Sequence, residues 1–148
     1  KILPGVGPTF PSLVSAVSAD GNESAGIRLP FVSVPVATHM GWNVRHKSIG
    51  GGGQILSTGG ASGGTVRGST IPFPATQAQR EATGDPRLSI EERYRSKDQY
   101  LHLVLQETRQ LIEQRYLLED DLQLIMNQAM EHYELLNGRV EGSQPVGD

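Results

Sequence analysis

The pattern of apolar and polar residues divides the chain into a first half of strands and loops and a second half of helices. Short runs rich in β-branched residues predict strands at residues 13–17, 27–29 and 32–37. In the last run three valines alternate with Ser, Pro and Ala, the period of a half-buried strand. Because Pro35 removes a ladder donor, this run is an edge strand or extended structure at a bulge. A turn is expected at residues 20–21.

Capping signals locate the helices of the second half. A short helix is expected over residues 75–82, with Gly84 as its stop. Ser-Ile-Glu-Glu at 89–92 and Ser-Lys-Asp-Gln at 96–99 are capping boxes, in which the first and fourth side chains satisfy each other's backbone N–H groups. The first box opens one helical turn, and the second opens a helix that runs to about Arg115.

A second long helix opens with three acids at residues 119–121, where the helix dipole favours negative charge, and ends at residues 137–138. The short link between the long helices predicts an antiparallel hairpin. Its expected apolar faces are Tyr100, Leu101, Val104, Leu105, Thr108, Leu111, Ile112 and Arg115 on one helix, and Leu122, Ile125, Met126, Ala129, Met130, Tyr133 and Leu136 on the other.

Three segments follow from these patterns: strands and loops over 1–74, helices over 75–138, and a flexible tail over 139–148. Half of residues 49–64 are glycine, a nearly low-complexity composition that predicts a flexible surface loop. Only 36% of the residues are hydrophobic, against about 45–50% in a typical globular domain. The chain is therefore expected to rely on a partner surface or to be partly disordered.

Charge and composition exclude several function classes. The net charge is −3 with mixed signs, so no basic face for nucleic acid is expected. The absence of cysteine excludes disulfides and thiolate metal sites, and no apolar run approaches the roughly 20 residues of a membrane span. The sequence opens with Lys1 rather than Met, which suggests a processed or truncated N-terminus and leaves the compartment open.

Neither a catalytic residue nor a metal or cofactor site is predicted from spacing. Residues 60–64 match the letters G-x-S-x-G around Ser62, but a nucleophile elbow needs a strand before the serine and a helix after it. Among the four histidines, His39 and His46 are seven residues apart, and His102 and His132 lie on separate helices among residues typical of solvated faces.

A pocket is expected near the end of the strand half. Its candidate lining residues are His39, Trp42, Asn43 and Arg45. His39 either orients a substrate carbonyl or carboxylate, or is a hydrogen-bonded loop histidine, and Trp42 either packs or borders the pocket.

Two further motifs each allow two interpretations. Arg28 and Arg45 either pair with acids such as Asp20 and Glu23 or bind anions. The triplet Asn-Glu-Ser at 22–24 is formally an N-glycosylation acceptor, but the turn interpretation is favoured.

Several motifs also carry a family resemblance. They are Asp-Gly-Asn-Glu at 20–23, Ala-Gly-Ile-Arg-Leu-Pro at 25–30, Val-Pro-Val-Ala-Thr at 34–38, Gly-Trp-Asn-Val-Arg at 41–45, Gly-Ser-Thr-Ile-Pro-Phe at 68–73, Arg-Glu at 80–81, Gly-Asp-Pro-Arg at 84–87 and Ser-Ile-Glu-Glu-Arg-Tyr at 89–94. Together they resemble the C-terminal region of the alpha/beta hydrolase domain-containing protein family, over about residues 4–136. His39 stands where that family more often has Tyr, so no catalytic role transfers to it.

The resemblance implies an α/β fold, specifically the C-terminal portion of an α/β-hydrolase-like fold, with serine chemistry on an ester or amide and both nucleophile and catalytic histidine upstream. The chain would complete and cover a hydrolase core, with the upstream part of the same chain and a small-molecule substrate as partners. The alternative is a non-enzymatic interaction module that uses the helical hairpin. A third hypothesis, a self-contained hydrolase using Ser62 with His39 or His46, is disfavoured by the glycine context.

Overall fold

The computed structural model describes residues 15–41, 43 and 68–138. Its elements in chain order are α1 (Pro30–Ser33), β1 (Ala37–Met40), β2 (Ser69–Pro72), α2 (Gln77–Thr83), α3 (Ile90–Arg93), α4 (Lys97–Glu113) and α5 (Asp121–Gly138). The predictions for the glycine-rich segment 49–64 and the tail 139–148 lie outside the described residues. None of the helices in the described ranges is long and apolar enough to cross a membrane.

The sheet consists of β1 and β2, which pair antiparallel with Thr38 opposite Ile71. The N–H of Phe73 donates to the carbonyl of Val36 at 3.1 Å. Because bonded and non-bonded pairs alternate along an antiparallel ladder, the backbone N–H and C=O of Thr38 face β2, whereas those of the residues on either side of Thr38 face the outer edge of β1. The outer edge of β2 includes Pro72, which has no N–H, and its carbonyl accepts from Arg87 Nη2 at 3.3 Å. That position is therefore closed to a further strand.

The strand predicted over 32–37 is wrong for most of its length. Pro30 is the first residue of the short helix α1, because its fixed φ suits a helix start and its preceding Leu29 is extended. The N–H of Val34 returns to the Pro30 carbonyl and closes this turn. The chain becomes a strand only at Ala37, and β1 continues to Met40.

The other strand predictions also differ from the structure. Within the described residues, the run 13–17 contributes only an isolated bridge between Val17 and Glu23, and residues 27–29 form no strand. The turn at 20–21 is confirmed, since the Gly21 N–H donates to the Ser18 carbonyl at 2.9 Å. Gly21 has a φ of 77°, and a Cβ there would lie 2.9 Å from the Thr38 methyl carbon.

The short helices follow their capping signals. Thr76 caps α2 through Gln79, and Gly84 ends it in the left-handed region with a φ of 65°. In the box that opens α3, the Ser89 hydroxyl donates to Glu92 at 2.7 Å. This bond and the Ser89 N–H, more than the Arg80 guanidinium, lower the pKa of Glu92 to about 2.

The second capping box is only half formed. Ser96 Oγ accepts from the Gln99 N–H at 3.1 Å, but the Gln99 side chain accepts from the Arg95 N–H at 2.7 Å instead of returning to Ser96. The far end of α4 also departs from expectation. The helix stops at Glu113, because Arg115 takes a positive φ of 64° and so cannot continue the right-handed coil.

The helical hairpin is confirmed in outline, and its apolar face in most positions. From α4, Tyr100, Val104, Thr108 and Leu111 are buried, and from α5, Ile125, Ala129 and Leu136 are buried. Met130 is 41% exposed and Arg115 is exposed beyond the end of α4, so both positions on the predicted apolar faces are wrong. The hairpin shares one apolar cluster with the strand half, to which Phe73 belongs.

Three tyrosines form the centre of this cluster. The Tyr100 ring lies 5.1 Å from that of Tyr94 and 5.2 Å from that of Tyr133. Tyr94 Oη donates to the Pro35 carbonyl at 2.8 Å, and this bond joins α3 to the segment before β1. Tyr100 is fully buried, yet its hydroxyl has no hydrogen-bond partner among the residues that the structure describes, and burial raises its pKa to about 12. The cluster thus contains one satisfied and one unsatisfied phenol.

We predict that Tyr100→Phe raises the free energy of unfolding by about 1–2 kcal/mol, because it removes a buried hydroxyl that makes no bond. It also removes the Tyr100 contribution to the alkaline loss of stability, which arises between the unfolded-state pKa of 10.0 and the folded-state pKa of about 12, where this side chain is deprotonated only in the unfolded state. Urea unfolding at neutral and alkaline pH measures both effects.

Tyr94→Phe is the matched control. It removes a bonded hydroxyl and leaves the Pro35 carbonyl without that donor, so stability falls by about 1–2 kcal/mol. Equal losses in both variants would contradict the assignment of Tyr100 as the unsatisfied group.

Candidate functional site

The side chain of Asn22 positions the backbone around His39. Its Oδ1 accepts from the His39 N–H at 2.8 Å, and its Nδ2 donates to the Ala37 carbonyl at 2.9 Å. The primary amide therefore replaces a neighbouring strand along the outer edge of β1. Asn22 is only 2% exposed and both ends of its amide are bonded, so the turn interpretation holds and the nitrogen is not available to a glycan.

The ring of His39 lies at the junction of the two halves. It is half-buried, and its Nδ1 is 3.4 Å from Oγ1 of Thr70, its partner on β2. Burial, and to a smaller extent the nearby His132 of α5, lower the pKa of His39 below 6.5. The imidazole is therefore neutral at physiological pH.

The expectation that His132 lies on a solvated face is wrong. His132 is half-buried, and its ring lies 5.1 Å from that of Phe31 with a 58° angle between the planes. Phe31 belongs to α1 and packs against the apolar cluster. The three side chains thus come from α1, β1 and α5, elements that no local sequence pattern connects.

An open cleft of about 390 Å³ lies beside His39. Its lining includes Glu23, Ile27, Arg28, Leu29, His39 and Met40. Of the four predicted pocket residues, His39 lines this cleft and Asn43 does not, whereas Trp42 and Arg45 lie outside the described residues. The predicted pocket residues did not include the apolar side chains of the 25–29 loop, although the position of this loop directly before Pro30 could have indicated them.

An ion pair fastens the Asn22 turn to the helical half. Asp20 pairs with Arg93 of α3 through two charge-assisted hydrogen bonds. The Arg93 guanidinium carbon lies 4.3 Å from the centre of the Phe73 ring. Asp20 therefore pairs with a residue 73 positions away, a connection that sequence spacing cannot reveal. Within the described residues it forms no ion pair with Arg28, and the predicted pairing partner Arg45 lies outside them.

A second arginine joins the same turn to the sheet. Arg87 binds the Asp85 carboxylate through Nε at 2.9 Å and Nη2 at 2.6 Å. Its Nη1 donates to Thr38 Oγ1 at 2.9 Å, and the Thr38 hydroxyl donates to the Asp20 carbonyl. These bonds from Arg87 lower the pKa of Asp85. The network is structural and fixes the strand that carries His39.

The chemistry available at the cleft is limited. In the ranges that the structure covers, His39 has no hydrogen bond to a carboxylate or a serine, so these residues assemble no nucleophile, base and orienting acid. The same ranges contain no group of three or more His, Asp or Glu residues placed to hold a metal. What remains is a neutral imidazole beside apolar side chains, one arginine and one glutamate, Arg28 and Glu23.

We predict that Asn22→Ala lowers the free energy of unfolding by about 3 kcal/mol, because a buried N–H and a buried carbonyl both lose their partner. Asn127→Ala is the control, since its amide only accepts from Gln123 on an exposed face of α5. Denaturant unfolding should give nearly unchanged stability for that variant, and equal effects would contradict the bridging role of Asn22.

We predict that His39 makes the fold sensitive to acid. Above pH 6.5 both states carry a neutral imidazole; as the pH falls below 6.5 the unfolded state takes up its proton first, and stability is lost until the lower folded-state pKa is passed. In His39→Gln the urea midpoint should fall less than in the wild type as the pH is lowered from about 7.5 to about 5. Substituting the exposed His102 by Gln should leave the wild-type slope, and a wild-type slope in His39→Gln would refute the assignment.

Comparison with known proteins identifies the family. Residues 9–127 match the family model described as "Alpha/beta hydrolase domain". No curated protein and no solved structure matched the chain. The matched range holds the small sheet, the His39 cleft and the helices through α4. It covers most of the chain and confirms the resemblance in the motifs, and the helices and small sheet are consistent with part of an α/β fold. The chain belongs to the alpha/beta hydrolase domain family.

Proposed function

We propose that the chain is the C-terminal part of a serine-type hydrolase that acts on an ester or an amide, with its nucleophile supplied by sequence outside these residues. The observation that carries the proposal is the family match over residues 9–127. In α/β-hydrolases the nucleophile lies at a tight turn from a strand into a helix, and the acid and histidine follow later in the chain. The G-x-S-x-G match at 60–64 has a glycine-rich context instead, and it lies outside the described residues.

The structural roles of the described polar side chains support the proposal that the nucleophile lies outside this chain. Ser89 and Ser96 cap helices, Glu92 bonds the Ser89 hydroxyl, and Asp85 is held by Arg87. These groups are engaged in the fold and are not directed at a substrate. The chain would then contribute a rigid wall and the His39 cleft to a hydrolase whose reacting groups come from the upstream part of the same protein.

The helical hairpin supports a second candidate function, a protein-interaction module. Leu118 at its turn is 70% exposed, Tyr116 is 53% exposed and Leu124 is 56% exposed, more apolar surface than a solvated hairpin needs. An interaction module requires no reactive serine anywhere in the protein. Labelling with a serine-directed probe therefore separates the two candidates.

We predict that a fluorophosphonate probe, applied to the longer protein that the proposal requires, labels a serine outside residues 1–148 and blocks ester hydrolysis. The probe reacts only with an activated serine, so mass spectrometry of the labelled peptides locates the nucleophile. Ser62→Ala in the same protein should leave both labelling and kcat/KM unchanged, as should the matched control Ser57→Ala.

Loss of labelling in Ser62→Ala but not in Ser57→Ala would place the nucleophile inside this chain and overturn the proposal. Absence of any labelled serine would overturn the serine-type chemistry and favour the interaction module.

A further inference from the structure

The His39 cleft is lined by a cation, Arg28, that forms no ion pair with any described residue. Arg80, Arg87 and Arg93 each form an ion pair with an acid, whereas Arg28, like three other exposed arginines in the ranges that the structure covers, forms none. Arg28 is exposed and lines the cleft together with His39. A guanidinium presents its donors in a fork that matches a carboxylate, so an anion is the ligand that this side chain favours.

The rest of the cleft is suited to an apolar group. Ile27 is 60% exposed and Leu29 is 51% exposed, and both lie on the 25–29 loop beside Arg28. Met40 of β1 also lines the cleft. When a hydrocarbon group covers solvent-exposed aliphatic side chains, binding is favoured by about 25 cal/mol per Å² of apolar surface removed from water.

We propose that this cleft binds a monocarboxylate with a short aliphatic chain, its carboxylate on Arg28 and its chain against Ile27 and Leu29. The inference rests on the proposed function, because such a molecule is the acid product of ester or amide hydrolysis. The neutral imidazole of His39 offers one further hydrogen bond without adding a second cation to the cleft.

Glu23 sets the charge of the ligand. Its carboxylate lines the same cleft, and the described residues give it no ion pair. A second negative charge on the ligand would therefore meet a like charge. The cleft selects monocarboxylates over dicarboxylates of the same length, which separates this site from a general anion site.

Titration of the protein with hexanoate, followed by amide chemical shifts, tests the proposal. We expect saturable shifts around His39 and the 25–29 loop, weaker binding of adipate, and binding of hexanamide that is about tenfold weaker because it lacks the charge. Arg28→Gln should weaken the binding of hexanoate by about tenfold. Arg28→Lys should weaken it by less, because the ammonium keeps the charge but lacks the two-pronged donor geometry of the guanidinium. Glu23→Gln should strengthen the binding of hexanoate.

Arg109→Gln is the matched control, since Arg109 is exposed on α4 and does not line this cleft. It should leave hexanoate binding unchanged. Equal binding of hexanamide, an unaltered affinity in Arg28→Gln, or shifts that map away from His39 would each overturn the site.

The two proposals fail separately. A labelled serine outside the chain without hexanoate binding removes this site and leaves the hydrolase function. Hexanoate binding that depends on Arg28, without any reactive serine, retains the carboxylate site and removes the hydrolase function.

Discussion

The strand half depends on how the turn at residues 18–22 is held against the outer edge of β1. Asn22 contributes a donor and an acceptor to that edge, and its burial makes the pair of bonds hard to exchange for water. The turn is short and contains little apolar surface of its own. The hydrogen bonds of a polar side chain therefore hold this turn in place, whereas burial of apolar side chains holds other parts of the chain in place.

The same turn is tied to the helical half through charge and aromatic contact. Asp20 holds Arg93 of α3, and the guanidinium groups of Arg93 and Arg87 lie 4.3 Å and 5.2 Å from the centre of the buried Phe73 ring. A desolvated cation near an aromatic ring gains about 2 kcal/mol. Because each arginine is also paired with an acid, the network compensates its own charge. The strand that carries His39 is thus held by β2, by the side chain of Asn22 and by Arg87 through Thr38.

The elements that depend on local signals were the predictable ones. Helix α2 was expected from its cap and its glycine stop, and the hairpin from apolar spacing. The prediction failed at α1 because the alternation of valines is a weaker signal than the proline that starts a helical turn. For the site, the sequence identified His39 but not His132 or Asn22, since both act across long separations. Family membership came from motif similarity and not from any catalytic geometry.

The edges of the small sheet determine how it can meet another body. On the outer edge of β1 the Ala37 carbonyl and the His39 N–H are bonded to Asn22, and on β2 the Pro72 position lacks a donor while its carbonyl is bonded to Arg87. Strand addition at these positions would require breaking bonds that hold the site together. At these positions, recognition by another domain would have to use side chains and shape, and surface side chains can change in evolution without disturbing the backbone.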